Sequence, residues 1–417
     1  MTRWSSMDET VQALSELVKM NTVNDHEAVV ADYLAALLKQ HGIESKLIEY
    51  APGRTSLVAE IGDGNGPVVG FDGHADTVTF GDAAKWAVDP LSGAVKDNRL
   101  FGCGATDMKS GLLAGLFALI NLKEQKVPLH GTLRYMATVG EEDGHLGAEQ
   151  LVDLGYADDI DALIVGEPSG ADKQLLTQPS IQAMLGADDA TARKMMAANP
   201  TTEQHFIELA HKGSLTYTVR SKGVAAHSSM PTIGKNAIDA LMTFYQQQTA
   251  YFNSFKDVKN PVLGATVPVV TLIKGGEQIN TVPANAEMSV KIRTIPELRN
   301  DKIIAALEKI IADCNAQGAE LTLSVQDSFY PVHTPESANL VQLAKQVGEQ
   351  VLTQALPYFG APGGTDASSY IVKNPDMEII VFGPGNITAH QVNEYVDLDM
   401  YQRFIKLYEQ LFTKLLK

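Results

Sequence analysis

The sequence predicts an α/β fold with a mostly parallel sheet, into which a second domain of order βαββαβ is inserted. Before about residue 212 and again after residue 331, short apolar runs alternate with helical segments, as in an α/β layer built on a parallel sheet. Between these regions, strands alternate apolar and polar residues, which is typical of a sheet with one solvated face. We therefore expect one domain from residues 1–211 and 331–417, and a second from residues 212–330.

Hydrophobic periodicity places the elements of the first domain. Residues 8–20 and 27–40 are predicted as amphipathic helices, because apolar residues such as Val11, Leu14 and Val18 recur at helical spacing. Strands are predicted at 46–50, 57–61, 68–71, 133–139, 163–165 and 378–382. Further helices are predicted at 110–123, 336–352 and 400–416. Residues 171–211 fit neither domain, and we interpret them as an atypical insertion with a helical stretch at 190–196.

The second domain begins with a strand in which Leu215, Tyr217 and Val219 alternate with polar residues. The elements that follow are a helix at 235–252, strands at 267–274 and 285–294, a helix at 300–316 and a strand at 321–327. This order is that of the split-βαβ, or ferredoxin-like, unit. The segment is therefore predicted to fold around its own core.

Composition excludes several classes of protein. A net charge of -17 argues against a nucleic-acid partner, although it leaves room for an anionic small substrate in a local cationic pocket. Only Cys103 and Cys314 are present, which excludes a disulfide scaffold. No apolar run approaches the length of a membrane span, and residues 1–5 lack the apolar core of a signal peptide, so we expect a cytoplasmic protein.

Acidic residues and histidines are concentrated in five short segments, four of which directly follow an apolar run. These segments lie at 73–76, 104–109, 140–142, 166–168 and 389–390. An ionisable group at the end of a buried strand is costly unless it is paired or bound to a cation. Several such strand ends at one edge of a sheet predict a metal site.

Each segment also has a structural interpretation that involves no metal. His74 and Asp76 fit a capped turn, and Asp107 fits the N-terminal cap of the following helix. Glu141 and Glu142 fit a pair of solvated acids, although adjacent side chains point in different directions and allow one to bind metal while the other faces substrate. A lone histidine such as His390 is more often structural than a ligand.

Taken together, the segments supply enough ligands for two divalent ions that share one carboxylate. The candidate ligands are His74, Asp107, Glu142, Glu167 and His390. Mixed histidine and carboxylate ligation suits zinc, cobalt or manganese better than calcium. Two such ions, about 3.5–4 Å apart, activate water and polarise a carbonyl, which predicts hydrolysis of an amide or ester.

This ordered set of motifs resembles the M20 metallopeptidase family of zinc peptidases over nearly the whole chain. The family includes succinyl-diaminopimelate desuccinylases, acetylornithine deacetylases and glutamate carboxypeptidases. The resemblance implies that His74 and Glu167 hold one ion, that Glu142 and His390 hold the other, and that Asp107 bridges them. It also implies a cis peptide after the bridging aspartate. Glu at position 167 matches the deacylase and carboxypeptidase branches.

The same resemblance assigns three catalytic roles outside the ligand set. Asp76 would orient His74, and Glu141 would be the general base that moves a proton from water to the leaving amine. His227, in the inserted lid domain, matches the family histidine that stabilises the oxyanion and that comes from the partner subunit in dimeric members. The alternative for His227 is a histidine at a strand end.

Further matches to the family concern substrate binding. Asn280 and Arg293 match positions that hold a substrate carboxylate, and the alternative for Arg293 is a salt bridge on the lid sheet. Gly364 and Thr365 match a glycine-rich substrate loop, for which the alternative is a turn capping a helix at 366–371.

The resemblance therefore implies a homodimeric amidohydrolase that binds two zinc ions, or cobalt or manganese, and cleaves an N-acyl amino acid or short peptide. The favoured branch is the succinyl-diaminopimelate desuccinylases. The alternatives are an acetylornithine deacetylase, a metal-dependent dipeptidase or carboxypeptidase, and a non-catalytic binding protein that retains the fold. The complete ligand set and Glu141 argue against the last of these.

Overall fold

The computed structural model describes residues 7–184 and 188–417, so residues 1–6, and residues 185–187 of the predicted insertion, lie outside it. The chain divides into two compact units. The first contains the described residues up to Leu209, together with Thr334–Phe359 and Thr365–Lys417. The second contains Ala210–His333 and Gly360–Gly364.

Eleven α-helices are assigned in the described residues. They are α1 Met7–Lys19, α2 Ala28–Gln40, α3 Ser110–Glu124, α4 Leu146–Asp153, α5 Pro179–Met184, α6 Asp189–Ala198, α7 Ala237–Ser254, α8 Asn300–Ala316, α9 Asn339–Leu352, α10 Ala367–Lys373 and α11 Leu398–Leu415. Short 3-10 helices span Ala83–Lys85, Lys173–Thr177 and Pro231–Ile233, and a π-helical turn spans Ala105–Lys109.

The strands of the described residues are numbered in chain order. They are β1 Ser45–Ala51, β2 Arg54–Gly62, β3 Val68–His74, β4 Ala94–Lys96, β5 Arg99–Phe101, β6 Thr132–Thr138, β7 Ile160–Asp172, β8 Glu203–His205, β9 Ile207–His211, β10 Gly213–Lys222, β11 Lys259–Asn260, β12 Gly264–Ala265, β13 Val267–Gly275, β14 Asn285–Thr294, β15 Leu321–Phe329, β16 Val332–His333, β17 Tyr358–Ala361, β18 Glu378–Asn386 and β19 Tyr395–Asp397.

The large sheet of the first unit has a parallel centre. Its strand order includes β1-β2-β6-β3-β7-β18-β9. The four central strands β6, β3, β7 and β18 run parallel to one another, whereas β1, β2 and β9 pair antiparallel at the flanks. The carboxyl ends of the four parallel strands therefore meet at one edge, which is where ligands bind in open α/β sheets.

Helix α3 packs against the central strands of this sheet. It is apolar around almost its whole circumference and is buried, as expected of a helix enclosed by a parallel-sheet fold. Its first turn approaches β7 closely, because a Cβ on Gly111 would lie 1.9 Å from the carbonyl oxygen of Gly166. Glycine at this position therefore brings the start of α3 against the strand that carries Glu167.

The second unit has the predicted βαββαβ order, formed by β10, α7, β13, β14, α8 and β15. Its sheet has the order β13-β14-β10-β15 and all its pairs are antiparallel. Leu215, Tyr217 and Val219 on β10 are buried, as the alternation predicts. Strand β13 lies at the edge of the sheet, and every one of its residues is exposed.

The predicted fold class is confirmed, with one local difference. The strand expected at 163–165 continues to Asp172 as β7, and β8 pairs with it. Strand β9 also joins the large sheet, and the described residues of 171–209 belong to the first unit. Among the residues described, no helix has both the length and the apolar character needed to cross a membrane.

Candidate metal centre

The side chain of Asp107 lies between two groups of potential ligand atoms. Its Oδ1 is 3.1 Å from His74 Nε2, and its Oδ2 is 3.2 Å from His390 Nε2. Glu167 Oε1 lies 3.3 Å from His74 Nε2, and Glu142 Oε1 lies 2.7 Å from His390 Nε2. Ligands bound to one tetrahedral zinc ion at 2.0–2.1 Å are about 3.3 Å apart. Three of the four separations are close to this value, and the arrangement suits two ions that share the Asp107 carboxylate.

Each of the other four side chains reaches this point from a parallel strand. His74 is the last residue of β3, and Glu142 follows β6. Glu167 lies in a bulge of β7, because the stretch from Val165 to Pro168 has one more residue than the part of β18 that pairs with it. Such a bulge re-aims a side chain. His390 follows β18 in a turn with a positive φ of 61°.

Asp76 fixes both the tautomer of His74 and the position of the acidic pair. His74 Nδ1 lies 3.0 Å from the backbone carbonyl oxygen of Asp76 and 3.5 Å from its carboxylate. Because these oxygens accept, Nδ1 carries a hydrogen, and the neutral ring would offer the lone pair of Nε2 to a metal ion. The Asp76 carboxylate also accepts hydrogen bonds of 3.1 Å from the backbone N–H groups of Glu141 and Glu142.

Electrostatics at this edge favour a cation. Burial raises the pKa of Glu167 to about 8, and the nearby Asp107 adds to the rise. Burial and then Glu167 raise the pKa of Glu141 well above its usual value. The ligand atoms of His74, Glu141 and Glu167 lie within 4.8 Å of one another, as do those of His74, Asp107 and Glu142. Divalent ions would offset the cost of gathering these buried acids.

Glu394 is a residue of this site that the sequence reasoning missed. Its carboxylate is buried and accepts hydrogen bonds from the backbone N–H groups of Gly104, Thr106 and Asp107, at 3.1, 2.8 and 3.0 Å. It therefore holds the loop that carries Asp107. Its one signal in the sequence is its place four residues after His390, and an acid in a loop is too common to stand out.

The peptide bond between Asp107 and Met108 is cis, as the family resemblance implies.

Thr365 is buried, and its hydroxyl accepts a hydrogen bond of 3.3 Å from the backbone N–H of Ala367 at the start of α10. This contact lies in the turn before α10, whose N-cap residue Asp366 makes no side-chain capping hydrogen bond.

The remaining predicted residues belong to the second unit. His227 is exposed, and its Nδ1 accepts a hydrogen bond of 3.2 Å from the backbone N–H of Ser229. Nε2 of the neutral ring therefore carries the hydrogen and is a donor. The backbone carbonyl oxygen of Asn280 accepts a hydrogen bond from the backbone N–H of Ser228. Arg293 lies partly buried on β14. Gly364 lies in the short segment Gly360–Gly364 of this unit.

Comparison with known proteins identifies the family. The family described as Peptidase family M20/M25/M40 matches residues 70–414. The chain belongs to the M20 peptidase family. A relative from Staphylococcus aureus (strain MSSA476), named a probable succinyl-diaminopimelate desuccinylase, is 33% identical over 99% of this chain and 98% of its own length. The prediction of the family is confirmed, and the protein is a hydrolase.

Solved structures share the fold of this chain. Aminopeptidase PepT from Bacillus cereus has a TM-score of 0.71 at 19% identity and covers 99% of both chains. Bacillus subtilis YxeP, described as a dinuclear metal-binding peptidase of the M20 family, has a TM-score of 0.67 at 16% identity and covers 98% of both chains.

Proposed function

We propose that the protein is a dinuclear metal-dependent amidohydrolase that removes the acyl group of an N-acyl amino acid. The observation that carries this proposal is the position of Asp107, with one carboxylate oxygen in each of two ligand groups. N-succinyl-diaminopimelate is the first candidate substrate, because relatives that match the whole chain carry the desuccinylase name.

Zinc fits the donor set best, with cobalt or manganese as alternatives. His74, Glu167 and one oxygen of Asp107 would hold one ion, and His390, Glu142 and the other oxygen the second. When bound, the ions polarise the amide carbonyl and make water a better nucleophile. Asp76 would keep His74 in the tautomer that binds.

Glu141 is proposed as the general base that takes a proton from the attacking water and passes it to the leaving amine. Its carboxylate is buried beside the ligand groups, and its pKa is raised by that burial and by Glu167. A carboxyl group whose pKa is raised towards the working pH is suited to both halves of this transfer. Glu141 also lies near enough to His74 and Glu167 to be a ligand, so the base role requires its own test.

We propose that the second unit supplies the residues that bind substrate. The Nε2–H of His227 would donate to the oxyanion, a contact worth about 3–4 kcal/mol in comparable sites. Arg293 would hold a substrate carboxylate through paired N–H groups, and Asn280 would add a side-chain contact. Gly364 would approach the same carboxylate, as would Thr365 of the first unit.

A homodimer that pairs through the second unit is also proposed. Strand β13 is a fully exposed edge strand, and its Leu272 and Ile273 side chains are 58% and 59% exposed. Soluble proteins avoid leaving an apolar edge strand open to water, and pairing it with the same strand of a second copy would cover it.

Both cysteines are free and buried, which suits a reducing compartment, and we propose the cytoplasm as the location.

A hydrolysis panel tests the proposed function. The zinc-, cobalt- and manganese-loaded protein would be assayed with N-succinyl-diaminopimelate, N-acetylornithine and simple dipeptides. We expect the highest kcat/KM for the succinyl substrate, and no turnover after chelation. Faster hydrolysis of N-acetylornithine or of dipeptides would move the protein to that branch of the family. No hydrolysis of any substrate with any metal would refute the proposal.

A further inference from the structure

The first unit contains a cavity of about 330 Å³. Two of its lining residues are sequence neighbours of proposed metal ligands. Its lining includes Pro168, which follows Glu167, and Ala389, which precedes His390. The lining also includes residues of 171–181 and 204–208, from the segment predicted as an insertion. None of the substrate-binding residues proposed above lines it.

The walls of this cavity are mainly apolar. Leu176 and Ile181 contribute aliphatic surface, and Phe206 and Phe359 contribute two aromatic rings whose centroids are 6.2 Å apart. Burying one methylene group on such a surface is worth about 0.8 kcal/mol. The walls therefore suit an aliphatic chain of a few carbons.

Glu208, on β9, supplies a carboxylate to this apolar lining. Its Oε1 is buried without a hydrogen-bond partner among the described residues. Two polar neighbours are engaged elsewhere, since the Gln204 amide donates to the carbonyl oxygens of His205 and Ala355, and the Asn386 amide donates to Glu203. Burial, and then Glu167, raise the pKa of Glu208 well above its usual value. A buried acid in this position needs a donor, and preferably a cation.

We propose that this cavity binds an aliphatic chain that ends in an ammonium group, with the methylenes on the apolar walls and the ammonium on Glu208. An ammonium group brings three donors and a positive charge to the buried Glu208 oxygen that lacks a partner. None of the described lining residues is a lysine or an arginine, so no side chain of the cavity competes for Glu208. The inference rests on the proposed function, because it makes the occupant the side chain of the leaving amino acid.

A direct binding measurement tests the cavity independently of catalysis. The zinc-loaded protein would be titrated with n-butylammonium and with 1-butanol, which have the same carbon chain, and binding would be followed by saturation-transfer NMR. We expect n-butylammonium to bind at least about tenfold more tightly, as for a hydrogen bond between charged groups. Glu208→Gln preserves size and should abolish this preference. Glu44→Gln, at an exposed acid before β1, makes the same change in net charge and should retain it.

Kinetics give a second readout with Nα-succinyl-lysine and Nα-succinyl-norleucine, whose side chains differ only by the terminal ammonium of lysine. The ratio of their kcat/KM values should favour lysine and fall at least about tenfold in Glu208→Gln. Equal or tighter binding of butanol, or a preference that survives Glu208→Gln in either assay, would overturn the inference. If neither substrate is hydrolysed, the binding assay alone decides the role of the cavity, and the proposed function fails only if the hydrolysis panel above also shows no turnover.

Discussion

Replacing Glu394 by glutamine should weaken metal binding although Glu394 is not among the proposed ligands. The carboxylate accepts from the backbone N–H groups of Thr106 and Asp107 through one oxygen and from that of Gly104 through the other. Glutamine can keep one oxygen towards Thr106 and Asp107. Its NH₂ group would then face the Gly104 N–H, so two donors would oppose each other. The loop that carries Asp107 would lose one anchor.

The expected loss follows from that one contact. A hydrogen bond to a charged group contributes about 1.5–3 kcal/mol, and about 1.4 kcal/mol corresponds to a factor of ten in affinity. Residues that orient metal ligands typically change metal affinity by about 10–100-fold when they are replaced. We therefore expect the apparent Kd for zinc to rise by about 10–100-fold in Glu394→Gln.

Competition with a chromophoric chelator measures this affinity, and elemental analysis gives the stoichiometry. The assay belongs at pH 8, because burial, and then Asp107, raise the pKa of Glu394 to about 7, so the wild-type carboxylate is mostly ionised at pH 8. Glu409→Gln is the matched control, since this partly buried carboxylate of α11 accepts a hydrogen bond from the Asn121 amide near the far end of α3. Wild-type zinc affinity in folded Glu394→Gln, or an equal loss in Glu409→Gln, would refute the reasoning.

Three further predictions concern the base, the response to pH and the assembly. Glu141→Gln should lower kcat by at least about 10²-fold while elemental analysis still finds two ions per chain; loss of metal in parallel with activity would show that Glu141 is a ligand. Burial lowers the pKa of His211 to about 4, so below about pH 6.5 the unfolded chain takes up a proton that the folded protein does not. The free energy of unfolding should therefore fall by about 1 kcal/mol between pH 7.5 and 5.5 through this group, and urea unfolding of His211→Gln should lack that part of the fall; the same pH dependence in both proteins would contradict it. Leu272→Asp on the β13 edge should convert a dimer to a monomer in light scattering, whereas Val95→Asp, at an exposed apolar position on β4, should not; a dimer that persists in Leu272→Asp would exclude this edge.

The sequence predicted the parts of the fold that depend on local pattern. The period-2 alternation at Leu215, Tyr217 and Val219 specified a strand with one buried face, and all three residues are buried. The order of strands and helices specified the inserted βαββαβ unit, because each element has its own periodicity. The length of β7 was not predictable in this way, since its extension to Asp172 depends on pairing with the distant β8 and β18.

The candidate site also combines features that local sequence patterns predict with features that depend on tertiary contacts. Acids and histidines next to apolar runs pointed to the ligand segments, because parallel strands bring their carboxyl ends together. The bulge that aims Glu167 and the three contacts of Glu394 are tertiary features, set by residues more than 200 positions away along the chain. The unpartnered oxygen of Glu208 had no signal either, because its isolation depends on which neighbours are engaged elsewhere.

Anomalous scattering from crystals of the zinc-loaded protein tests the central claim most directly. The proposed site predicts two zinc peaks about 3.5–4 Å apart, with one Asp107 oxygen on each ion. His74 and Glu167 should complete the ligands of one peak, and Glu142 and His390 those of the other. A single fully occupied ion, or two ions that do not share Asp107, would contradict the account.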